Sequence, residues 1–282
     1  MDFLNMINDA LEEYLPKSDD IVSEAMKYSV RNGGKRIRPM LTLEFCKACG
    51  AEPEKALPLA CAVEMIHTYS LIHDDLPCMD DDDYRRGKPS CHIAFGEANA
   101  LLAGDALLTL AFETAVKADI AAENVVRAVK ELSYSAGILG MVGGQVLDLQ
   151  NENKALTLSE LEQIHNLKTG ELIRVACVLG CVAAGADEEK IKAAEAYAKG
   201  IGLTFQIVDD ILDVTSDAET LGKPIGSDAE NQNTTYVSLL GIEKSKEVAA
   251  ELTRKAKAAL AVYDENTEAL SLLADNLLIR KK

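Results

Sequence analysis

The sequence predicts an all-α protein, a single-domain bundle of ten or more helices that spans residues 1–282. Its longest proline-free stretch, residues 90–223, is rich in Ala, Leu, Glu and Lys, and proline is strongly unfavourable inside a helix. No segment shows the period-two alternation of β-branched residues that is typical of strands. No linker or repeat divides the 282 residues, and 48% hydrophobic residues suffice for one large core.

Start and stop signals place these helices along the chain. The first helix has Leu4, Ile7, Leu11 and Leu15 on one face and ends near Pro16. The next helices, bounded by capping residues, glycines, prolines or short turns, are predicted over residues 18–31, 39–50, 53–77, 97–118, 122–137, 140–151, 157–184 and 187–215. Two or three amphipathic helices over residues 234–280 complete the bundle.

The composition limits the classes of function. A formal charge of −17 argues against nucleic acid as a partner, so a bound anion would need local cations or a metal. The longest uncharged run, residues 132–147, is too short and glycine-rich for a membrane span, and the acidic N-terminus is not a signal peptide. The seven cysteines are expected to be reduced thiols, and Cys46 and Cys49 lack the second pair of a zinc site. We therefore expect a soluble cytoplasmic protein.

Six aspartates fall between Asp74 and Asp83, at the end of an apolar helical pattern. Carboxylates that are forced together repel one another, and hard cations such as Mg²⁺ relieve that repulsion. A solvated acidic loop is the alternative interpretation. The apolar helix before the run, and Arg85 and Arg86 directly after it, favour a metal site.

A second acidic motif ends another apolar helix. Asp209 and Asp213 are four residues apart and therefore share one helical face, whereas Asp210 is rotated away from it. An exposed helix would not need this arrangement. Two such faces could oppose each other across a cavity and share several divalent ions.

Basic residues lie close in sequence to both aspartate motifs. Lys35, Arg36 and Arg38 occupy a glycine-flanked loop that enters a helix, which suits a phosphate, although a solvated loop would have the same pattern. The other cations near the motifs or within helical segments are Arg85, Arg86, Lys168 and Lys223. Carboxylates interleaved with such cations describe a site for one or two diphosphates held by metal ions.

The helix before the first motif also has candidate site residues. His67 lies two turns before Asp74 on the same face, so we expect it to contact substrate, whereas His73 is expected to be structural. Tyr69 and Ser70 lie about one turn before Asp74 and face into the bundle. A cavity that extends from a diphosphate site into the bundle would have its floor there.

Together, these motifs resemble those of the trans-isoprenyl diphosphate synthases. The run Asp74-Asp-Leu-Pro-Cys-Met-Asp80 with Arg85-Arg-Gly87 resembles the first aspartate-rich motif of that family, and Asp209-Asp-Ile-Leu-Asp213 resembles the second. The further family blocks, in the family order, are Gly33–Pro39, Phe95–Glu97, Leu102–Asp105, Gly143–Gln145, Lys168–Gly170 and Gly222–Lys223. The resemblance covers nearly the whole chain.

The resemblance implies a fold of the isoprenoid synthase type with a deep central cavity, a homodimer, and three Mg²⁺ ions in each active site. It implies ionisation of an allylic diphosphate, attack by the double bond of isopentenyl diphosphate, and then loss of a proton. The implied metal-binding residues are Asp74, Asp75, Asp80, Asp209 and Asp213.

The resemblance also implies residues for each substrate. Those for the allylic diphosphate are Arg85, Lys168 and Lys223. Those for isopentenyl diphosphate are Lys35, Arg38, His67 and Arg86. Those that would stabilise the carbocation, through carbonyls or side chains, are Lys168, Thr169 and Gln206.

Product length is the finer question. Four residues separate Asp75 from Asp80, and the aromatic Tyr69 lies five positions before Asp74, which resembles the pattern of bacterial farnesyl diphosphate synthases. A bulky ring at the cavity floor would stop growth near fifteen carbons, and geranylgeranyl synthases of the same type usually have a smaller residue there. Asn233 occupies the position where many members of the family have a lysine. One contact to the diphosphate that the resemblance implies is therefore not expected in this chain.

The expected product is farnesyl diphosphate, made from isopentenyl diphosphate with dimethylallyl and geranyl diphosphate as primers. The alternative product is geranylgeranyl diphosphate.

Three other classes of protein fit the sequence less well. A metal phosphohydrolase built on His73 and Asp74 would need further separated histidine ligands, and only His92 and His165 remain. A class I terpene cyclase would need an Asn/Asp-Ser/Thr-Glu triad, which the second motif does not contain. A regulatory subunit of a heteromeric synthase should have lost one aspartate motif, and both are intact.

Overall fold

The computed structural model describes residues 2–152, 154–215, 234–263 and 265–280. Lys223, Asn233 and the block Gly222–Lys223 lie outside the described residues, so their assigned roles stay predictions. The described chain is dominated by helices, which confirms the all-α prediction. In chain order the helices are α1 (Phe3–Tyr14), α2 (Ile21–Arg31), α3 (Ile37–Ala48), α4 (Leu57–Asp74), α5 (Cys91–Phe95), α6 (Glu97–Ala115), α7 (Ala122–Ala136), α8 (Met141–Asn151), α9 (Leu158–His165), α10 (Glu171–Ala183), α11 (Glu188–Thr215), α12 (Tyr236–Leu240), α13 (Ile242–Ala259) and α14 (Glu268–Ile279).

Short irregular elements connect these helices. Turns of 3₁₀ helix cover Pro53–Ala56 and Leu260–Val262, and a π-helical turn, Asn166–Gly170, joins α9 to α10. Strands β1 (Tyr84–Arg85) and β2 (Lys88–Pro89) pair in antiparallel register. Among the described helices, none is long and apolar enough to cross a membrane.

Capping residues explain where several helices begin. The Asp20 side chain accepts hydrogen bonds from the backbone N–H groups of Val22 and Ser23, so α2 begins at Ile21, slightly later than predicted. Thr157 caps α9 in a reciprocal capping box with Glu160, as the sequence indicated.

The hairpin of β1 and β2 corrects the expectation that the chain has no strands. Arg86 and Gly87 form its turn, and both have positive φ angles, 54° and 76°, as a two-residue hairpin turn of type I′ requires. The short helix α5 was also not predicted. Both elements lie in the connection between the first aspartate motif and α6, where too few residues are available for a clear hydrophobic period.

Helix α4 lies at the centre of the core, and its residues from Leu59 to Ile66 are fully or almost fully buried. It packs against α6 at Gly104, where an added Cβ would lie 2.1 Å from Nε2 of His73. Only glycine leaves room for the imidazole there. His73 Nε2 also lies 3.1 Å from the Leu101 carbonyl oxygen, in agreement with a structural role.

Helices α3 and α10 approach closely on the other side of the core. A Cβ added at Gly180 would lie 2.3 Å from the Thr42 carbonyl oxygen, so this crossing also requires glycine. The structure has all seven cysteines as free thiols, and the Sγ atoms of Cys49 and Cys181 are 3.7 Å apart where the same two helices meet.

Candidate functional site

The first aspartate motif begins where α4 ends. Asp74 is the last residue of α4, and the chain then folds back so that the Asp80 backbone N–H donates to the Asp74 carbonyl oxygen over 2.8 Å. Asp75 is buried, and it accepts a hydrogen bond of 2.9 Å from Nε of Arg85. The fold therefore brings Asp74 and Asp80 together and leaves Asp75 bound to a cation of its own chain.

The environment of Asp74 makes it a poor site for an isolated negative charge. Partial burial raises the pKa of Asp74 to about 6; the Lys168 ammonium opposes this rise, and the Asp80 carboxylate adds to it. A carboxylate in this position gains from a further cation, because a positive charge lowers the cost of ionisation.

Lys168 lies in the π-helical turn between α9 and α10, beside the first motif. Its Nζ donates to Oδ2 of Asp148, on α8, over 2.6 Å, and the charges of Asp74 and Asp80 also act on it. The neighbouring Thr169 is half-buried in the same turn. Turns of π-helix are rare and occur frequently at functional sites. Sequence reasoning did not find Asp148 or the π-helical turn.

The second aspartate motif lies near the end of α11. Asp213 is buried, and Asp209 forms an ion pair of 2.5 Å with Nη2 of Arg280, which follows α14. Asp210 accepts a hydrogen bond of 2.7 Å from the backbone N–H of Tyr236 at the start of α12. Asp210 is thus engaged in holding a neighbouring helix, consistent with its rotation away from the face that Asp209 and Asp213 share.

Arg280 is a second residue near the site that the sequence analysis missed. Its guanidinium carbon lies 4.0 Å from the centre of the Phe205 ring, and its Nη2 donates to the Phe205 carbonyl oxygen over 2.8 Å. Gln206, predicted to stabilise a carbocation, is the next residue along α11 and is half-buried. No local sequence pattern indicates that Arg280 contacts Asp209 and Phe205, because these residues are about 70 positions away in the chain.

The hairpin turn brings Arg86 to the glycines of the basic N-terminal loop. Its Nη1 donates to the Gly33 carbonyl oxygen, and a Cβ added at Gly34 would lie 2.7 Å from the same guanidinium nitrogen. A larger residue at Gly34 would displace this guanidinium, and the φ of 127° at this position also favours glycine. Two segments that are 53 residues apart in sequence therefore meet at this point.

Arg38 and His67 lie beside Arg86. Burial lowers the pKa of Arg38 to about 10, and its Nε is buried without a hydrogen-bond partner in the part of the chain that the structure describes. The pKa of His67 lies well below its ordinary value, mainly because the side chain is buried and also because the charges of Arg38 and Arg86 disfavour a protonated imidazole. This imidazole is therefore neutral at pH 7. The cluster has an excess of positive charge and can accept an anion.

Lys35 connects the basic loop to the second aspartate motif. Its pKa is lowered by burial and by the charge of Arg280, while the charge of Asp209 acts in the opposite direction. Arg36, in contrast, points into the core, where its Nη1 forms an ion pair of 2.6 Å with Oε1 of Glu64. Of the three cations in this loop, one is therefore structural.

The two residues predicted to set product length lie on α4 below the first motif. Tyr69 is buried, and its ring packs edge-on against the His73 imidazole, with 5.6 Å between the centroids. The Ser70 hydroxyl donates to the His67 carbonyl oxygen over 2.9 Å. The charge of Asp74 acts on the Tyr69 hydroxyl, so the ring lies close to the first motif.

The donor set suits Mg²⁺ that is bound jointly by protein and substrate. In the described ranges, no group of three or more His, Cys, Asp or Glu side chains is arranged to hold a metal ion. Mg²⁺ commonly uses only one or two protein carboxylates, together with waters and phosphate oxygens. Asp74 with Asp80, and Asp209 with Asp213, provide carboxylates of that kind, and the raised pKa of Asp74 shows that one of them would gain from a cation.

A cleft of about 820 Å³ opens elsewhere, between α7, α10 and α11. Its lining includes Glu131, Tyr134, Leu139, Arg174 and Glu195, and it includes none of the predicted site residues. Arg174 Nη1 lies 3.2 Å from Glu131 and 3.0 Å from Glu195, so two carboxylates of the cleft share this guanidinium. The two aspartate motifs lie outside this cleft.

Comparisons with known proteins agree with the fold and the motifs. Residues 19–272 match the family model for polyprenyl synthetase. The chain is 46% identical over 281 residues to the farnesyl diphosphate synthase of Micrococcus luteus, which covers 100% of this chain and 97% of the relative. It is 49% identical over 279 residues to the chloroplastic geranylgeranyl pyrophosphate synthase of Capsicum annuum, covering 97% of this chain and 76% of the relative.

A solved structure shows the same architecture. The apo structure of an FPP/GFPP synthase from Zymomonas mobilis superposes with a TM-score of 0.87 at 36% identity, covering 97% of this chain and 95% of the other. The fold and the paired aspartate motifs define the class of isoprenyl synthases. The chain belongs to the polyprenyl synthetase family, a family of prenyltransferases.

Proposed function

We propose that this chain is a Mg²⁺-dependent trans-prenyltransferase. It would condense isopentenyl diphosphate head-to-tail with dimethylallyl and then geranyl diphosphate, giving (2E,6E)-farnesyl diphosphate plus diphosphate. The observation that supports this most is the convergence of Asp74, Asp80 and Lys168 at the end of α4. Carboxylates and an ammonium in one place suit a metal–diphosphate complex better than either would alone.

The allylic diphosphate would lie between the two aspartate motifs. Asp74, Asp80 and Asp209 would hold Mg²⁺, with Asp75 and Asp213 in support. When bound, three Mg²⁺ ions would neutralise the negative charge that develops on the departing diphosphate. The protein cations assigned to the same diphosphate are Arg85, Lys168 and Lys223.

Isopentenyl diphosphate would bind at the cluster that the basic loop and the hairpin form. Lys35, Arg38 and Arg86 supply cations, and the buried Nε of Arg38 is a donor that a phosphate oxygen could satisfy. The neutral His67 can donate one hydrogen bond without adding further charge repulsion.

The allylic carbon–oxygen bond breaks first in this proposal, and the allylic carbocation is then attacked by the double bond of isopentenyl diphosphate. The groups that would stabilise the carbocation are carbonyls or side chains of Lys168, Thr169 and Gln206. Their half-buried positions would limit contact with water, which otherwise captures such a cation. The released diphosphate would accept the proton that is lost at the end.

Two candidate functions, a farnesyl and a geranylgeranyl diphosphate synthase, share the same chemistry and differ only in the length of the product. The Micrococcus luteus relative is named for farnesyl diphosphate and the Capsicum annuum relative for geranylgeranyl diphosphate, at 46% and 49% identity, so overall similarity does not discriminate. The buried ring of Tyr69, close to Asp74, supports the shorter product, with Ser70 as its neighbour on the cavity floor. A geranylgeranyl diphosphate synthase is the second candidate.

Assembly and location are part of the proposal. A homodimer is supported by large apolar residues that remain exposed on consecutive elements, among them Leu101 and Leu102 on α6 and Ile138 and Leu139 before α8. A cytoplasmic location is supported by seven free cysteines. Light scattering of the purified protein would measure the oligomeric state, and a monomer at assay concentration would contradict the dimer.

The decisive experiment is a product assay with the purified full chain. Radiolabelled isopentenyl diphosphate is incubated with Mg²⁺ and, separately, with dimethylallyl, geranyl or farnesyl diphosphate, and products are separated by chain length. We expect a C15 product from the first two primers and little extension of farnesyl diphosphate. A C20 major product would establish the second candidate, and no condensation with any primer would refute both.

Two controls connect the activity to the site. Chelation with EDTA should abolish turnover, and added Mg²⁺ should restore it. Asp74→Asn and Asp209→Asn each remove a carboxylate with little change in volume, so each should lower kcat/KM by at least about 100-fold if they hold the metal. Glu152→Gln, an exposed carboxylate at the end of α8, should behave like the unaltered chain.

A further inference from the structure

Asp148 belongs to neither aspartate motif, yet within the described residues it makes the one hydrogen bond of the Lys168 ammonium. The distance from Nζ of Lys168 to Oδ2 of Asp148 is 2.6 Å, and the two residues are 20 positions apart on different elements. Lys168 itself is assigned to the allylic diphosphate. Its orientation therefore depends on a carboxylate outside both aspartate motifs.

A glycine on α8 explains why this contact forms. A Cβ added at Gly144 would lie 2.2 Å from the Lys168 backbone nitrogen and 2.6 Å from its Cα, so α8 touches the π-helical turn directly at this point. Asp148 follows Gly144 by four residues and thus shares its helical face. The close crossing of two backbones places the Asp148 carboxylate beside the Lys168 side chain.

Three carboxylates of the described residues act most strongly on the ammonium of Lys168. They are Asp148, Asp74 and Asp80, and the interaction with Asp148 is the strongest of the three. Without Asp148, Lys168 would be drawn towards Asp74 and Asp80, where an ammonium competes with a divalent cation for the same oxygens. The pair is partly exposed, at 31% for Lys168 and 44% for Asp148, so it contributes little to stability.

We propose that Asp148 is a positioning residue that holds the Lys168 ammonium in place for the allylic diphosphate and keeps it off Asp74 and Asp80. This inference rests on the proposed function, because it assigns a partner to a residue of that site. Under this proposal the site includes a carboxylate on α8, in addition to the carboxylates of the two aspartate motifs. Asp148 acts through Lys168 and does not touch the reacting atoms.

The inference predicts a selective kinetic change. Asp148→Asn should raise the KM for the allylic diphosphate about tenfold and raise the Mg²⁺ concentration needed for half-maximal rate, because the freed ammonium is misplaced. The KM for isopentenyl diphosphate should stay within about twofold, since Arg38 and Arg86 belong to a different cluster. Equal increases in both KM values, or no change in either, would overturn the inference.

A double-mutant cycle tests whether Asp148 acts through Lys168. In a Lys168→Met background, Asp148→Asn should change the allylic KM by less than about twofold, because the group it positions is gone. A further loss as large as in the unaltered chain would show that Asp148 has a separate role and would contradict the inference. Asp148→Glu, which retains the carboxylate, should lie closer to the unaltered enzyme than Asp148→Asn, and equal defects in the two variants would also contradict it.

Controls separate this inference from the proposed function. Glu152→Gln makes the same change of charge directly after α8 and should leave both KM values unaltered. Calorimetric titration with inorganic diphosphate and Mg²⁺ gives a readout besides turnover, and Asp148→Asn should weaken that binding by a similar factor. An unaltered chain that makes no prenyl product refutes the proposed function, whereas an active chain with unchanged diphosphate binding in Asp148→Asn refutes only this inference.

Discussion

Arg36 and Glu64 form an ion pair that is almost completely enclosed by the core. The distance from Nη1 to Oε1 is 2.6 Å, and the side chains are only 5% and 3% exposed. Nη2 of Arg36 also donates to the Val30 carbonyl oxygen over 2.6 Å, and Nε donates to Asn8 over 3.2 Å. One guanidinium thus connects α1, α2 and α4 at the base of the basic loop.

Removal of Glu64 should destabilise the fold strongly. Glu64→Ala leaves the Arg36 charge buried without its partner, and such changes cost about 3–5 kcal/mol in the free energy of unfolding. Urea denaturation followed by circular dichroism would measure the loss. Glu12→Ala, which breaks the exposed ion pair with Arg31, is the matched control and should have a much smaller effect. Equal effects of the two substitutions would show that the pair at Arg36 is not as enclosed as the structure indicates.

Replacement of Tyr69 should lengthen the product. Tyr69→Ala removes a buried ring close to Asp74, which opens space along α4 and removes the aromatic contact with His73. We expect C20 or longer diphosphates to become the main products in the chromatographic assay. Tyr14→Ala, on α1, should retain the product pattern of the unaltered enzyme. If Tyr69→Ala has that same pattern, Tyr69 is not the floor of the cavity.

The fold should lose stability at mildly acidic pH through His165. Burial lowers the pKa of His165 to about 4, and its Nδ1 makes no hydrogen bond within the described residues. An unfolded histidine has a pKa near 6.5, so below about pH 6.5 the unfolded chain binds a proton that the folded chain excludes. The free energy of unfolding contributed by this group therefore falls as the pH drops from about 6.5 towards about 4.

Urea denaturation at pH 7.5 and pH 5 would measure this effect. His165→Gln should show a smaller loss of stability at pH 5 than the unaltered chain. The comparison is made between the two proteins at each pH, because groups with raised pKa values, such as Asp74, have the opposite dependence. Identical losses in the two proteins would rule out His165 as the source.

The crossing of α3 and α10 should not tolerate a larger residue at Gly180. A Cβ there would lie 2.3 Å from the Thr42 backbone oxygen, so Gly180→Ala must separate the two helices, which costs about 1–3 kcal/mol. Gly202→Ala is the matched control, since its nearest neighbour would be 3.4 Å away, at Cα of Gly170. That substitution should be neutral or slightly stabilising, because alanine is favoured over glycine inside helices. Thermal unfolding of both variants would check the difference, and a Gly180→Ala variant as stable as Gly202→Ala would contradict it.

The sequence identified features that depend on neighbours within one or two helical turns. The pairing of Asp209 with Asp213 on one face follows from helical geometry alone, and the helix boundaries follow largely from capping residues, glycines and prolines. The sequence could not reveal that Arg36 points inward while Lys35 does not. That difference depends on Glu64, 28 residues away, and on the packing of three helices.

Contacts between elements that are far apart in the chain could not be predicted from the sequence for the same reason. The pair of Asp148 and Lys168 exists because α8 crosses the π-helical turn at Gly144, and a crossing of this kind has no local period. Arg280 reaches Asp209 from the far end of the chain. The motifs thus predict which residues take part in the chemistry, whereas the residues that hold them in position become visible only in three dimensions.

The π-helical turn Asn166–Gly170 has a consequence for the length of the chain. A π turn closes its hydrogen-bonded ring one residue later than an α turn, so it accommodates one extra residue within an otherwise continuous helix. The turn therefore lets α10 keep its rotation about the helix axis despite the extra residue. If the segment were wound as a regular α-helix instead, the same residue would turn α10 by about 100°, because an α-helix advances by that angle per residue. Gly180 would then leave its position against Thr42. The π turn thus separates the number of residues between α9 and α10 from the direction in which α10 faces.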